Sequence, residues 1–426
     1  MSRAVTVNAL SLPPGSLGSA GLGLLVLLLL TVSPLALMAL GWQYGETGGS
    51  PIEKFHPATF LAMGLVLLSA SHRGNPLSAL IATAGANPAV TIYLAGVLGL
   101  MAHAALVVGL PATTFVDTFI LPIATLFLFR DLGDGRRAGL ARLVHILFAL
   151  NTGLGIAELQ GGFRLTPLYV EGEFLETEWR SSALLGHPLG NACLTGSYMV
   201  LLLAGGGRDL PQVLRPLAFL FAAAGMVVFG GRAATAFVVA AIIFSSLSAC
   251  AAVLRGKRFH TSSILAGLVV VPLVAVAVLG LHEIGFFGQF LDRFVDDEGS
   301  AGTRVEMFAL FNHLNLYDLL IGPDPAFIST LMRQYGLLYG IESFWIAMIF
   351  GHGLFVALAF FATLIGFCVE IARHTGRGGA MAVVYFLAVA STSLSLSAKS
   401  PIFGILVMLI LLLCHGRTVA HPARHP

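Results

Sequence analysis

The sequence predicts an all-α polytopic membrane protein of about twelve transmembrane helices, and three observations predict it. Hydrophobic residues make up 57% of the 426 and charged residues only 10%, with a mean hydropathy of +0.89. A soluble domain carries about 25% charged residues. Apolar runs long enough to cross a bilayer recur along the chain, and only helices or closed barrels can satisfy their backbone there. Basic residues also gather on alternate connections, as the positive-inside rule requires.

The apolar runs fall near 21–41, 56–71, 88–110, 112–130, 138–158, 188–205, 212–230, 233–254, 262–281, 343–369, 379–397 and 401–415. The second and the last are short, so the count lies between eleven and thirteen. With twelve spans and both ends cytoplasmic, the inner side holds 15 basic residues against four acids, and the outer side eight against fifteen. The first run is long enough to span and more runs follow, so no cleavable signal is expected. Cys193, Cys250, Cys368 and Cys414 lie in apolar runs without a pairing or metal spacing, so buried core thiols are expected. No internal repeat is evident, and residues 1–426 read as one integral membrane domain.

Two outer segments are long, 159–187 and 282–341. The first carries Glu171, Glu173, Glu176 and Glu178, then Arg180. The second carries Asp296-Asp297-Glu298 and then a helical stretch. There Thr303-x-x-Glu306 reads as a capping box opening a helix with Arg304 in its first turn. Met307, Leu310, Phe311 and Leu314 follow at helical spacing, giving an apolar face suited to the membrane surface. Gly322-Pro323 marks the stop.

Candidate chemistry collects on the outer side. Arg232 follows Gly230-Gly231 and opens the eighth run. An arginine at a helix N-terminus faces the positive end of the macrodipole, which is unfavourable unless an anion is near. Helix-start N–H groups and guanidinium forks together suit a phosphate. Alone, Arg232 equally fits a side chain reaching to lipid headgroups, and Arg304 a loop arginine paired with Asp296, Asp297 or Glu298. Glu342 opens the tenth run before Ser343-Phe344-Trp345. It fits either a carboxylate favoured by a helix start or a general base, with Trp345 at the interface.

Arg180, His187 and Asn191 close the first long segment, with Pro188 in the first turn of the sixth run. His313 falls on the polar face of the loop helix, where solvation alone accounts for it. Asp117 is an intramembrane acid and so a candidate by default. Lys399 occupies the last outer turn. The histidines lack zinc spacing, and no metal or cofactor is expected.

The layout resembles the O-antigen ligase and Wzy-type polysaccharide polymerase superfamily, over about residues 180–370. The matching pieces are Arg180 to Asn191, Gly230-Gly231-Arg232, Gly302-Thr303-Arg304, Leu320-Ile321-Gly322-Pro323, and Glu342-Ser343-Phe344-Trp345 followed by Gly351-His352-Gly353-Leu354. The resemblance implies a metal-independent, all-helical membrane glycosyltransferase fold with a long periplasmic loop, in the bacterial inner membrane. It implies transfer of a glycan from an undecaprenyl-pyrophosphate carrier to an acceptor on the periplasmic face. Arg232, Arg304 and Glu342 would be catalytic, the arginines at the donor pyrophosphate. Arg180, His187, Asn191 and His313 would contact substrate. Ligases place a histidine about where Glu342 stands, so the base stays open between Glu342, His313 and His187, and the departure favours a repeat-unit polymerase for exopolysaccharide or O-antigen. The alternatives are an O-antigen ligase with lipid A-core as acceptor, a twelve-helix transporter or flippase, and a structural scaffold. Implied partners are the lipid-linked donor and acceptor, a flippase and a chain-length regulator, with no nucleic acid.

Overall fold

The computed structural model describes residues 16–45, 49–72, 74–167, 169–170, 173–174, 180–256, 276, 279–283, 285–288, 290–291, 300–337, 340–393 and 396–414. The run near 262–281 and the acids at 296–298 fall largely or wholly outside them, as do Glu171, Glu176 and Glu178.

The described chain is helical apart from one two-residue ladder, Tyr169–Val170 against Glu173–Phe174. Helices α1 to α4 are Ser16–Thr31, Pro34–Ala39, Pro57–Ser71 and Pro76–Ala86. Helix α5 is Pro88–Val108 and α6 is Thr113–Phe129, each carrying one wide π turn, at Ala104–Val108 and Val116–Ile120. Helices α7 to α10 are Asp134–Gly161, Pro188–Leu203, Leu214–Phe229 and Arg232–Leu254. Then come α11 (Ser300–Ala309), α12 (Leu316–Ile321), α13 (Pro325–Gln334), α14 (Phe344–Ala390) and α15 (Ile402–Leu413). Proline at the first or second position opens many of them, where its missing N–H has no intrahelical partner to lose.

Among the described residues, four helices are long and apolar enough to cross a membrane: α5, α7, α10 and α14. Others are apolar but shorter, α15 among them. At 12 residues it is about 18 Å long, well under the roughly 30 Å of a hydrocarbon core. Its place explains its composition. Every residue from Ile402 to Leu413 is buried, and α6, α7, α8 and α14 surround it. A helix apolar on all sides belongs inside a bundle. By contrast α10 buries only Ala234 and Val238 and exposes Val239, Ile243, Phe244 and Leu247, as a helix bathed in lipid would. Cys250 is exposed on it, whereas Cys193, Cys368 and Cys414 are buried as expected.

Helix α14 is not one rod. Its backbone leaves helical values at Gly353 (φ 78°, ψ 159°) and Gly376 (φ 69°, ψ −152°). A Cβ at Gly353 would stand 2.3 Å from the Ile321 carbonyl carbon. The end of α12 therefore fits into a notch that only glycine leaves open.

The long segment after α10 departs from expectation in two ways. Helix α11 starts by Ser300, so Thr303 lies inside it and not at its N-cap position, and Arg304 lies in its second turn rather than at its start. The helix also ends at Ala309, tightens through Leu310–His313 and restarts at Leu316. The apolar face expected at the membrane surface is covered by protein instead. Met307 and Leu310 form a small separate core with Ile328, Leu331, Ile346 and Phe350, with Phe311 and Leu314 packed against it. Burial against the start of α14 removes that apolar area from water more completely than an interface does.

Candidate functional site

Three stretches converge at one end of the bundle: the loop before α8, the turn between α9 and α10, and the end of α7. Glu158 of α7 is fully buried. One of its oxygens accepts the N–H of Leu165 at 2.8 Å, and the other those of Ser182 (2.8 Å) and Ala183 (2.9 Å). Three N–H donors complement a buried carboxylate. Ser181 donates its hydroxyl to the Gly155 carbonyl at 2.6 Å and its N–H to Val228 of α9 at 3.2 Å. The segment from Arg180 is thus fastened to two helices.

Helix α8 begins where that loop ends. His187 is its N-cap, with Nδ1 accepting the Leu189 N–H at 3.2 Å, and Pro188 follows. An Nδ1 acceptor leaves the proton on Nε2. Burial, and then the nearby Arg180 charge, lower His187 from 6.5 to about 4, so it is neutral at pH 7. Asn191 is fully buried. Its amide donates to the carbonyls of Ser182 and His187, and its Oδ1 accepts from Asn151 at 2.8 Å. Asn191 therefore shapes the loop and does not face a substrate directly.

Arg232 is the first residue of α10, as its sequence context predicts, behind the left-handed Gly230 that ends α9. A Cβ at Gly231 would lie 2.3 Å from the Ala192 Cβ. That close approach sets the start of α10 against the second turn of α8. Arg180, His187, Asn191 and Arg232 are thereby brought to one end of the bundle, and Arg180 and Arg232 are both half-buried there.

The remaining candidates form a second group. The Glu342 N–H donates to Met307 Sδ at 3.1 Å, so Glu342 is tied to the helix that carries Arg304, one turn along. The Arg304 side chain lies outside the described residues. Glu342 is half-buried just ahead of α14, and Trp345 Nε1 donates to Ser391 Oγ at 2.6 Å. His313 is exposed and paired with the Tyr335 hydroxyl at 2.6 Å.

Neither a family model nor a curated protein matches this chain. The geometry therefore carries the functional argument.

Asp117 is also resolved. It is fully buried and accepts from Tyr44 Oη (2.7 Å), Thr59 Oγ1 (2.6 Å) and the His56 N–H (3.0 Å). Burial, ahead of the adjacent Asp117, holds the Tyr44 hydroxyl well above its usual range. His56 Nε2 pairs with the Val32 carbonyl at 2.6 Å. This carboxylate fastens the segments around Tyr44 and His56 to α6 and has no oxygen facing a ligand. Sequence reading misses one contact altogether, His103 Nδ1 to His352 Nδ1 at 3.3 Å, because 249 residues separate them. Among the described residues no three His, Cys, Asp or Glu side chains gather as a metal would require.

Proposed function

We propose that this protein is a bacterial inner-membrane polymerase that joins undecaprenyl-pyrophosphate-linked oligosaccharide repeat units at the periplasmic face. In this reading the chain has twelve spans, both ends are cytoplasmic, and 159–187 and 282–341 are periplasmic. The observation that carries it is Arg232 at a helix start, held by the Gly231–Ala192 contact at the same bundle end as Arg180 and His187. Two guanidinium groups and a helix N-terminus in one half-buried place suit a pyrophosphate.

The chemistry follows. An acceptor hydroxyl attacks the anomeric carbon of the donor glycan, forming the new C–O bond. The bond from that carbon to the pyrophosphate oxygen breaks, and the leaving group takes its electrons. Arg232 and Arg180 hold the pyrophosphate, and Arg304, assigned there by the family resemblance alone, adds to the stabilisation of the negative charge as it develops. Neutral His187 donates from Nε2–H and is not a base, since Nδ1 caps α8. His313 is occupied by Tyr335. Glu342 is left to accept the hydroxyl proton, and its link to Met307 sets it beside the Arg304 helix.

The test is a deletion strain complemented with wild type, Arg232→Ala or Arg304→Ala, its lipid-linked and released glycans resolved by size. Single lipid-linked repeats in both variants at normal protein levels support the polymerase. Full-length polymer still on its lipid identifies a ligase. Unchanged polymer in both variants rules out this reading and favours a transporter or scaffold.

A further inference from the structure

A cavity of about 390 Å³ lies between α1, α2, the start of α8 and the start of α15. That volume is within the range of small-molecule sites, roughly 300–1,000 Å³. Its body is apolar, with Leu29, Leu35, Met38 and Ile405 among the lining residues. Its polar end holds Lys399, and no carboxylate lines it.

Lys399 is held in place before any ligand arrives. Its ammonium donates to the Tyr44 carbonyl at 3.1 Å and to the Lys54 carbonyl, and sits 4.2 Å from the Tyr44 ring centre. An ammonium has three donors, so one remains. Asp117 is the nearby acid, but its oxygens are taken by Tyr44, Thr59 and His56, and it is not among the lining residues. The first turns of α8 and α15 also border the cavity, at Gly190 and Ile402, and their N–H ends add positive potential. A cation at one end of an apolar hollow in a membrane bundle is complementary to an anionic amphiphile, and to neither a sugar nor a free cation.

We propose that this cavity binds one anionic phospholipid of the surrounding bilayer, with its phosphate at Lys399 and part of an acyl chain among Leu29, Leu35, Met38 and Ile405. The cavity adjoins the Arg232 group, since His187 is also among its lining residues, but the lipid site rests on Lys399 and the apolar wall and stands whether or not the polymerase reading does. The lipid would brace α1, α2 and α15 against one another, which makes it a structural partner of the fold.

The test is native mass spectrometry of the full chain in detergent, titrated with phosphatidylglycerol, phosphatidylcholine or inorganic phosphate. One phosphatidylglycerol should bind at least about tenfold more tightly than phosphatidylcholine, which carries no net charge. Lys399→Gln removes the cation, and Leu35→Trp fills the apolar end without changing charge. Each should weaken phosphatidylglycerol about tenfold or more. Equal binding of the two lipids overturns the proposal. So does unchanged affinity in either folded variant, or displacement of the lipid by millimolar inorganic phosphate, which would show a head-only anion site. Should Lys399→Gln fail to fold, because it braces two carbonyls, Leu35→Trp and the two-lipid comparison decide.

Discussion

Glu158 Oε2 accepts the N–H of Ser182 at 2.8 Å and that of Ala183 at 2.9 Å. Ala183 has a positive φ of 42°, a conformation that costs a residue with a Cβ of order 1–3 kcal/mol. The carboxylate therefore holds a strained turn that leads into the candidate site. Glu158→Ala leaves two buried N–H groups and one part-buried N–H without their acceptor, so it should destabilise the protein by roughly 2 kcal/mol or more. A lower melting midpoint in detergent is the expected result. An unchanged midpoint would show that the loop finds other acceptors.

Two glycines two residues apart should behave differently. Gly353→Ala places a Cβ 2.3 Å from the Ile321 carbonyl carbon at a φ of 78°, and backbone cannot move aside cheaply. It should displace α12 and lower stability by several kcal/mol, about 2–4. Gly351 has nothing within 4 Å of its would-be Cβ, and alanine there should be neutral or stabilising by up to about 1 kcal/mol. Paired melting curves distinguish the two.

His187 makes stability depend on pH. Its folded value, about 4, lies below the usual 6.5, so the unfolded chain binds the proton first. Stability is then full above pH 6.5, falls as pH drops through the window, and levels off below about 4, a loss of roughly 3 kcal/mol at most. His187→Asn keeps an N-cap acceptor and should flatten that part of the profile. Midpoints from pH 4 to 7.5 measure it.

Glu342→Gln separates the base candidates. It is close to isosteric, so assembly should be normal while polymerisation falls by about 10²-fold or more, the usual worth of a general base. His313→Ala, which breaks only the exposed contact to Tyr335, should reduce activity by less than about tenfold. The rate of repeat-unit consumption in membranes reports both, and the opposite ranking would move the base to His313.

Much of this arrangement was legible locally. Pro188 opening α8 and Arg232 opening α10 behind two glycines follow from adjacent residues, and the structure has both. Features that depend on distant partners were not. Asp117 reads as an active-site acid until Tyr44 and Thr59, 73 and 58 residues away, are seen to claim its oxygens. Thr303 and Glu306 have capping-box spacing, yet the helix already runs from Ser300, so Thr303 is not at its N-cap position. Met307 to Leu314 have a membrane-surface pattern, but Ile346 and Phe350 offer them a drier place. Periodicity shows which face is apolar and says nothing about what will cover it.

The clasp at Lys399 has a bearing on how the chain is made. Lys399 fastens the Tyr44 carbonyl across 355 residues of sequence and the Lys54 carbonyl across 345. Ribosomes deliver those partners in order, the carbonyls early and the ammonium late. The early segment must therefore wait unlatched in the membrane while the intervening helices are inserted. Its closure then becomes a check on assembly that only a polypeptide grown past Lys399 can pass.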